Sequence, residues 1–200
     1  MQPPFLCFSM KLYIFGVELF KIVNTMRDIV RRFGLIILPA LLCAVACGTI
    51  TEELPTYESS SLVMTGDSAP NFTATTIDGE TVSLYDSLEN GALLVLFSHE
   101  CPDCKMLLDD IREAQQGFDE LGLFLLFVAR DGTSEEVAAY MSENSYDFDV
   151  VPDPSREIYN LYATTYVPRT YLLDKEGVVR YTTIEYDATY IEQILDRVSQ

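Results

Sequence analysis

Apolar residues fall into three arrangements along this chain, and each predicts a different kind of element. Two largely apolar stretches lie near the N-terminus, Leu12 to Phe20, which includes Glu18, and Leu35 to Ala46, broken at Pro39. Two more, Leu93 to Ser98 and Gly122 to Ala129, show no alternation and predict strands buried on both faces. Between them Met106, Leu107, Ile111, Ala114 and Phe118 recur at mostly helical spacing, which predicts a helix over 105–120. Residues 81–84, with Asp78-Gly79 ahead of them, predict a strand returning from a hairpin turn. Thr133-Ser134-Glu135-Glu136 opens a second helix with a hydroxyl cap and acids in its first turn, running to about Asn144. A short strand at 148–151, a short helix at 155–162, strands at 169–174 and 178–184 and a closing helix at 188–198 complete the pattern. Strands alternating with helices, then a hairpin and a helix, predict an α/β domain with a mixed central β-sheet flanked by helices.

Charge separates the N-terminal stretch from the rest. Residues 1–46 hold five Lys/Arg and two acids, which leaves eight basic and 29 acidic residues beyond them. An acidic surface of that kind argues against nucleic acid as a partner. Met26 to Arg32 is a basic n-region, and the 12 residues from Leu35 to Ala46 are too few for a membrane span, which needs about 20, but suit a signal h-region. Ala44-Val45-Ala46-Cys47 resembles the lipobox of bacterial lipoproteins, with Ala44 where Leu is usual. Residues 1–46 are therefore expected to be a leader, with Met26 a candidate true start. Cys47 would carry lipid, 47–65 would be a flexible tether, and 66–200 would be the folded domain. The rival reading is an uncleaved signal anchor with an apolar Cys47. The expected location is the bacterial cell envelope, outside the cytoplasm.

Beyond the leader only Cys47, Cys101 and Cys104 remain, too few for a disulfide framework. Cys101-Pro102-Asp103-Cys104 follows a predicted buried strand and opens a helix. The unpaired N–H groups and the dipole of a helix N-terminus favour thiolate at Cys101. Pro102 suits the first helical position, and Cys104 lies one turn on, where it can close a disulfide on Cys101. Glu100 and Asp103 place negative charge beside Cys101 and oppose the dipole, which predicts a reducing or mildly poised pair. The competing reading of a C-x-x-C is half a zinc site. It lacks two ligands here, since His99 is the one histidine and Cys47 is distant, so neither metal nor cofactor is expected beyond the Cys101–Cys104 disulfide.

Four features in order resemble the thioredoxin-like superfamily, on its TlpA-like and AhpC/TSA (redoxin) branch. They are Gly66-Asp67-Ser68-Ala69-Pro70-Asn71-Phe72 with Asp78-Gly79, then Phe97 to Cys104, then Val167-Pro168-Arg169-Thr170, then Leu173-Asp174-Lys175-Glu176-Gly177. The resemblance implies a thioredoxin-like fold over 66–200 and thiol–disulfide exchange. Cys101 would be the nucleophile and Cys104 the resolving thiol. Val167 and Pro168 would form a cis-proline loop that pairs with a bound peptide. It also implies protein dithiol or disulfide substrates and a membrane electron donor. The sequence departs from the branch at Phe97 (often Trp), Leu107 (often Glu) and Asp109 (often Pro), so Asp109 and Asp110 are the remaining candidates for proton transfer. Two other readings stand beside exchange. A peroxiredoxin-like peroxidase would use Ser98 three before Cys101, but Leu94 occupies the place of its proline. A non-enzymatic binding lipoprotein would use Tyr140, Tyr146, Tyr159, Tyr162 and Tyr166 as a contact surface.

Overall fold

The structure is a computed structural model, and it describes residues 55–199. Cys47, the leader and the start of the tether lie outside the described residues. The elements run α1 (Tyr57–Ser60), β1 (Thr73–Thr75), β2 (Thr81–Ser83), a 3₁₀ turn (Tyr85–Ser87), β3 (Ala92–Phe97), α2 (Pro102–Glu113) and α3 (Gln115–Leu121). They continue with β4 (Phe124–Ala129), α4 (Ser134–Glu143), β5 (Asp149–Pro152), α5 (Tyr159–Tyr162), β6 (Arg169–Leu173), β7 (Val179–Ile184) and α6 (Tyr190–Val198). Five strands form one sheet in the order β5-β4-β3-β6-β7, while β1 and β2 make a separate hairpin. β3 runs parallel to β4, and β4 to β5, whereas β6 is antiparallel to both β3 and β7.

The unbroken apolar run of β3 is explained by its central place. All six of its residues are buried, and alternate side chains enter two different cores. Leu93, Val95 and Phe97 pack with Leu107, Leu108 and Ile111 of α2, Phe118 of α3, Val137 of α4 and Ile194 of α6. Ala92, Leu94 and Leu96 pack on the other face with Phe72, Leu84, Tyr159 and Tyr162. Each fully buried leucine of this strand contributes about 1.5–3 kcal/mol.

Two expectations need correction. The helix expected over 105–120 is two helices. The first begins at Pro102, because Cys101 serves as its N-cap, and it ends where Ala114 leaves helical geometry at φ −92°, ψ 2°. Gly117 then bonds back three residues to Ala114, a tighter turn that delivers Phe118 to the core. The second correction concerns the tether. Its described part, 55–65, packs on the domain. Thr56 caps α1, Leu62 N–H donates to Tyr162 O at 2.9 Å, and Val63 is buried. Arg169, with no exposed surface, explains why. Its guanidinium donates to Ser60 Oγ at 2.6 Å, Ser61 Oγ at 2.8 Å and Thr165 O at 2.8 Å, so the serines of an apparent linker are the acceptors a buried cation requires.

Among the described residues no helix is long and apolar enough to cross a membrane.

Candidate functional site

The site forms where β3 and β4 end and α2 begins. Phe97 and Ala129 are register partners in the parallel pair, so both strands finish at the same level. Chain segments leaving the C-terminal ends of parallel strands converge there, the usual place for chemistry in an open α/β sheet. β3 hands directly into Ser98-His99-Glu100 and then α2.

Cys101 is the N-cap of α2, with Pro102 at the first position. Its Sγ accepts the Cys104 N–H at 3.4 Å, and Val167 O lies 3.8 Å from it. The Val167–Pro168 peptide is cis. Thus the structure brings the Cys101–Cys104 pair against the Val167–Pro168 loop, although Cys101 and Val167 are 66 positions apart in sequence. Both cysteines are free thiols.

The two sulfurs differ in surroundings. Cys101 is half-buried, so a substrate can reach it, while Cys104 is fully buried. Burial pushes the Cys104 thiol well up. The Ser98 N–H, 3.4 Å from its Sγ, acts the other way, and the neighbouring Cys101 pushes up again. Glu100 and Asp103, the two acids expected to tune the motif, are both exposed, and Glu100 N–H donates to Ser98 Oγ at 3.2 Å.

His99 pairs with Asp131, with Nδ1 to Oδ1 at 3.2 Å. Gly132 makes room for that ring. It has φ +84°, and a Cβ there would lie 2.8 Å from His99 Cε1.

Both carboxylates offered for proton transfer have partners other than the cysteines. Asp109 accepts from Lys105 Nζ at 2.9 Å and from Tyr146 Oη at 2.9 Å, and it pairs with Arg112 at 3.0 Å. Partial burial would raise its carboxyl, but these hydrogen bonds and charges hold it below the usual range. Asp110 accepts from Tyr186 Oη at 2.8 Å. Leu107, where the branch often has Glu, is fully buried in the core. Of the tyrosines considered as a contact surface, Tyr146, Tyr159 and Tyr162 are buried and serve packing.

Sequence reasoning missed Arg130, the first residue after β4. Its N–H donates to Phe97 O at 2.9 Å, which ties it to the strand end that leads into the motif. Its guanidinium sits 5.2 Å from the centre of the Tyr159 ring, and Nη1 donates to Tyr159 Oη at 3.3 Å. Tyr159 Oη in turn donates to Tyr166 O at 2.8 Å, one residue before Val167. A cation directly after a buried parallel strand is the signal that pointed there. Among the described residues no cluster of three or more His, Cys, Asp or Glu is arranged to hold a metal ion.

Comparison with known proteins adds a family and a fold. The sequence pattern of the AhpC/TSA family matches residues 65–182. The chain is similar to the thiol-disulfide oxidoreductase ResA of Bacillus thuringiensis subsp. konkukian, 24% identical over 165 residues, which cover 82% of this chain and 94% of that protein. Among solved structures it is similar to a thiol:disulfide interchange protein from Bacteroides sp. The TM-score is 0.60 at 21% identity, over 69% of this chain and 92% of that one. It is also similar to the peroxidoxin BcpB of Mycobacterium tuberculosis, with a TM-score of 0.59 at 16% identity, over 68% and 97%. The domain has a thioredoxin-like fold, an α/β arrangement with a mixed sheet flanked by helices.

Proposed function

This chain belongs to the AhpC/TSA family, and on that premise we propose that it is a thiol–disulfide oxidoreductase working through Cys101 and Cys104. The observation that carries this reading is the asymmetry of the sulfur pair. One sulfur is reachable and caps a helix; the other is buried one turn behind it and bonded to backbone N–H.

The chemistry follows from that arrangement. The Cys101 thiolate attacks one sulfur of a substrate disulfide, forms a mixed disulfide and expels the other sulfur as thiolate. Cys104 then loses its proton and attacks Cys101 Sγ. A Cys101–Cys104 disulfide forms and the second substrate sulfur leaves. Two electrons pass from the protein to the substrate, and the two protons lost by the cysteines balance those taken up by the substrate sulfurs. Val167 O, beside Cys101, is placed to accept an N–H from an extended substrate segment.

The peroxidase reading is weaker. Leu94, at the place of that pattern's proline, sits mid-strand in β3 between Leu126 and Tyr171, where a proline would break the ladder.

The setting we propose is the outer face of a bacterial membrane, with Cys47 lipidated, exported proteins as substrates and a membrane electron donor restoring the dithiol. Because the chain already packs on the domain from Pro55, the eight residues from Cys47 span at most about 30 Å. Such a tether keeps the domain near the surface instead of far from it. The lipobox-like Ala44-Val45-Ala46-Cys47 supports this setting, and Glu100 and Asp103 support a reducing poise.

The test is trapping. Cys104→Ser should accumulate a mixed disulfide with a disulfide-bonded protein substrate, visible by mass under non-reducing conditions. Cys101→Ser should form none. Equal trapping by both variants would contradict the assignment of nucleophile and resolving thiol.

A further inference from the structure

Exchange with a peptide needs Val167 O held in one place while a substrate segment pairs with it beside Cys101. The carbonyls on either side of it are already tied. Tyr166 O accepts from Tyr159 Oη at 2.8 Å and from Arg169 Nε at 3.3 Å. Pro168 O accepts the Glu185 N–H at 2.8 Å. Between them, Val167 O meets no backbone N–H among the described residues, and Cys101 Sγ stands 3.8 Å away. A carbonyl left open between two fixed ones is an acceptor for an incoming strand.

We propose that Tyr166 is a positioning residue for the substrate peptide, bracing Val167 O beside Cys101 by fastening the loop to the N-terminal segment. This rests on the exchange reading. It adds to that reading a residue outside the cysteine motif and outside the Val167–Pro168 pair, together with a segment that the sequence presents as tether.

Three observations carry the proposal. First, the backbone of Tyr166 has φ +68°, in the left-handed region that glycine enters freely and a bulky side chain does not. A residue in that conformation persists where its surroundings over-determine it. Second, the surroundings do so here. Tyr166 Oη donates to Pro55 O at 2.7 Å, and its ring meets the Tyr57 ring edge-on, with centres 5.0 Å apart. Third, the segment is attached without Tyr166. Thr164 N–H donates to Ser60 O at 2.9 Å, Leu62 N–H donates to Tyr162 O at 2.9 Å, and Arg169 holds both Ser60 and Ser61. The bond from Tyr166 to Pro55 is therefore not needed to attach the segment, and its effect falls on the loop. With Tyr166 fixed at its carbonyl by Tyr159 and at its hydroxyl by Pro55, the next carbonyl, Val167 O, has little freedom to swing away from Cys101.

The test uses the full chain carrying Cys7→Ser, Cys43→Ser, Cys47→Ser and Cys104→Ser. Cys101 is then the one thiol, and every adduct read by intact mass is on it. Two probes are compared. One is the symmetric disulfide of a blocked, unstructured pentapeptide with cysteine at its centre, which has backbone N–H to give Val167 O. The other is hydroxyethyl disulfide, which has none. In both cases the Cys101 thiolate forms a mixed disulfide with one half of the probe and expels the other half as thiolate. Tyr166→Phe keeps the ring and loses the bond to Pro55. It should raise the half-saturating peptide concentration about three- to tenfold with little change in the limiting rate. The ratio of the peptide rate to the hydroxyethyl disulfide rate, below saturation, should fall by the same factor. Tyr57→Leu, at an exposed position, should lower that ratio in the same direction and carries the comparison if Tyr166→Phe does not fold. An unchanged ratio would overturn the proposal. So would an equal loss with both probes, which would mean general damage to the site. If the protein with Tyr166 intact gains mass from neither probe, the exchange reading itself fails and this inference falls with it.

Discussion

Arg169 and Arg130 are drawn into the protein beside the same loop, yet only one has its hydrogen-bonding capacity used. Arg169 is fully buried, and its donors reach Ser60, Ser61, Thr165 and Tyr166. Arg130 is half-buried, makes one side-chain hydrogen bond at 3.3 Å and leaves Nε unpartnered. The first fastens architecture: it ties the N-terminal segment to the residues just before Pro168. The second holds the end of β4 against Tyr159, with Asp131 Oδ2 3.8 Å from its Nε. A fully buried cation whose donors are all matched holds a shape, and a half-buried one with few partners holds less.

The strongest way to break that comparison is Arg169→Met. It strands Thr165 O and releases Ser60 and Ser61, and it should cost about 3 kcal/mol by denaturant unfolding. The folded fraction should keep its exchange rate with hydroxyethyl disulfide. Arg130→Met should lose less than about 1 kcal/mol by the same measurement. If the two variants lose stability equally, the distinction between them disappears. Gly132→Ala comes next. It forces a Cβ into the His99 ring at φ +84° and should cost about 1–2 kcal/mol, with His99 displaced from Asp131, a change that NMR of the single histidine would report. Thr133→Ala is the calibration at a helix cap, far from Arg169 in sequence and three residues after Arg130. Thr133 Oγ1 accepts from Glu136 N–H while Glu136 accepts from Thr133 N–H, so loss of this capping box should cost about 1 kcal/mol and leave Cys101–Cys104 disulfide formation unchanged.

The smallest effect is on pH dependence. Burial alone would raise the Asp174 carboxyl, but the Val178 N–H, the Arg180 guanidinium at 2.6 Å and the Glu176 N–H together hold it below the usual range. A carboxyl depressed in the folded state adds stability above its unfolded pKa and loses it as pH falls through its folded value. Asp174→Asn should therefore flatten part of the acid limb of the stability curve, below the usual carboxylate range, with little change near neutrality. An acid limb identical to wild type would show that this hairpin contributes nothing there.

Much of this was legible in the sequence because it is written in local patterns. The buried runs of β3 and β4, the Asp78-Gly79 turn, the Thr133 cap and the ordered motifs around Cys101 and Pro168 each announce themselves within a few residues. What was not legible depends on partners far apart in the chain. Ser59-Ser60-Ser61 looks like linker until Arg169, more than 100 positions on, is seen to need its acceptors. The break at Ala114 interrupts a helical spacing that continues on either side. Arg130 carries no motif; its backbone meets the strand end ahead of Ser98 only because the parallel register of β3 and β4 puts their ends at one level.

The measurement that tests the central claim most directly is a redox titration of the full chain in dithiol–disulfide buffers, quenched by alkylation and read by mass. The account predicts one two-electron couple, with Cys101 and Cys104 protected together, near or below about −220 mV. A couple near about −120 mV would contradict the reducing direction argued from Glu100 and Asp103. Failure of Cys101 and Cys104 to form a disulfide at any poise would contradict the exchange function itself.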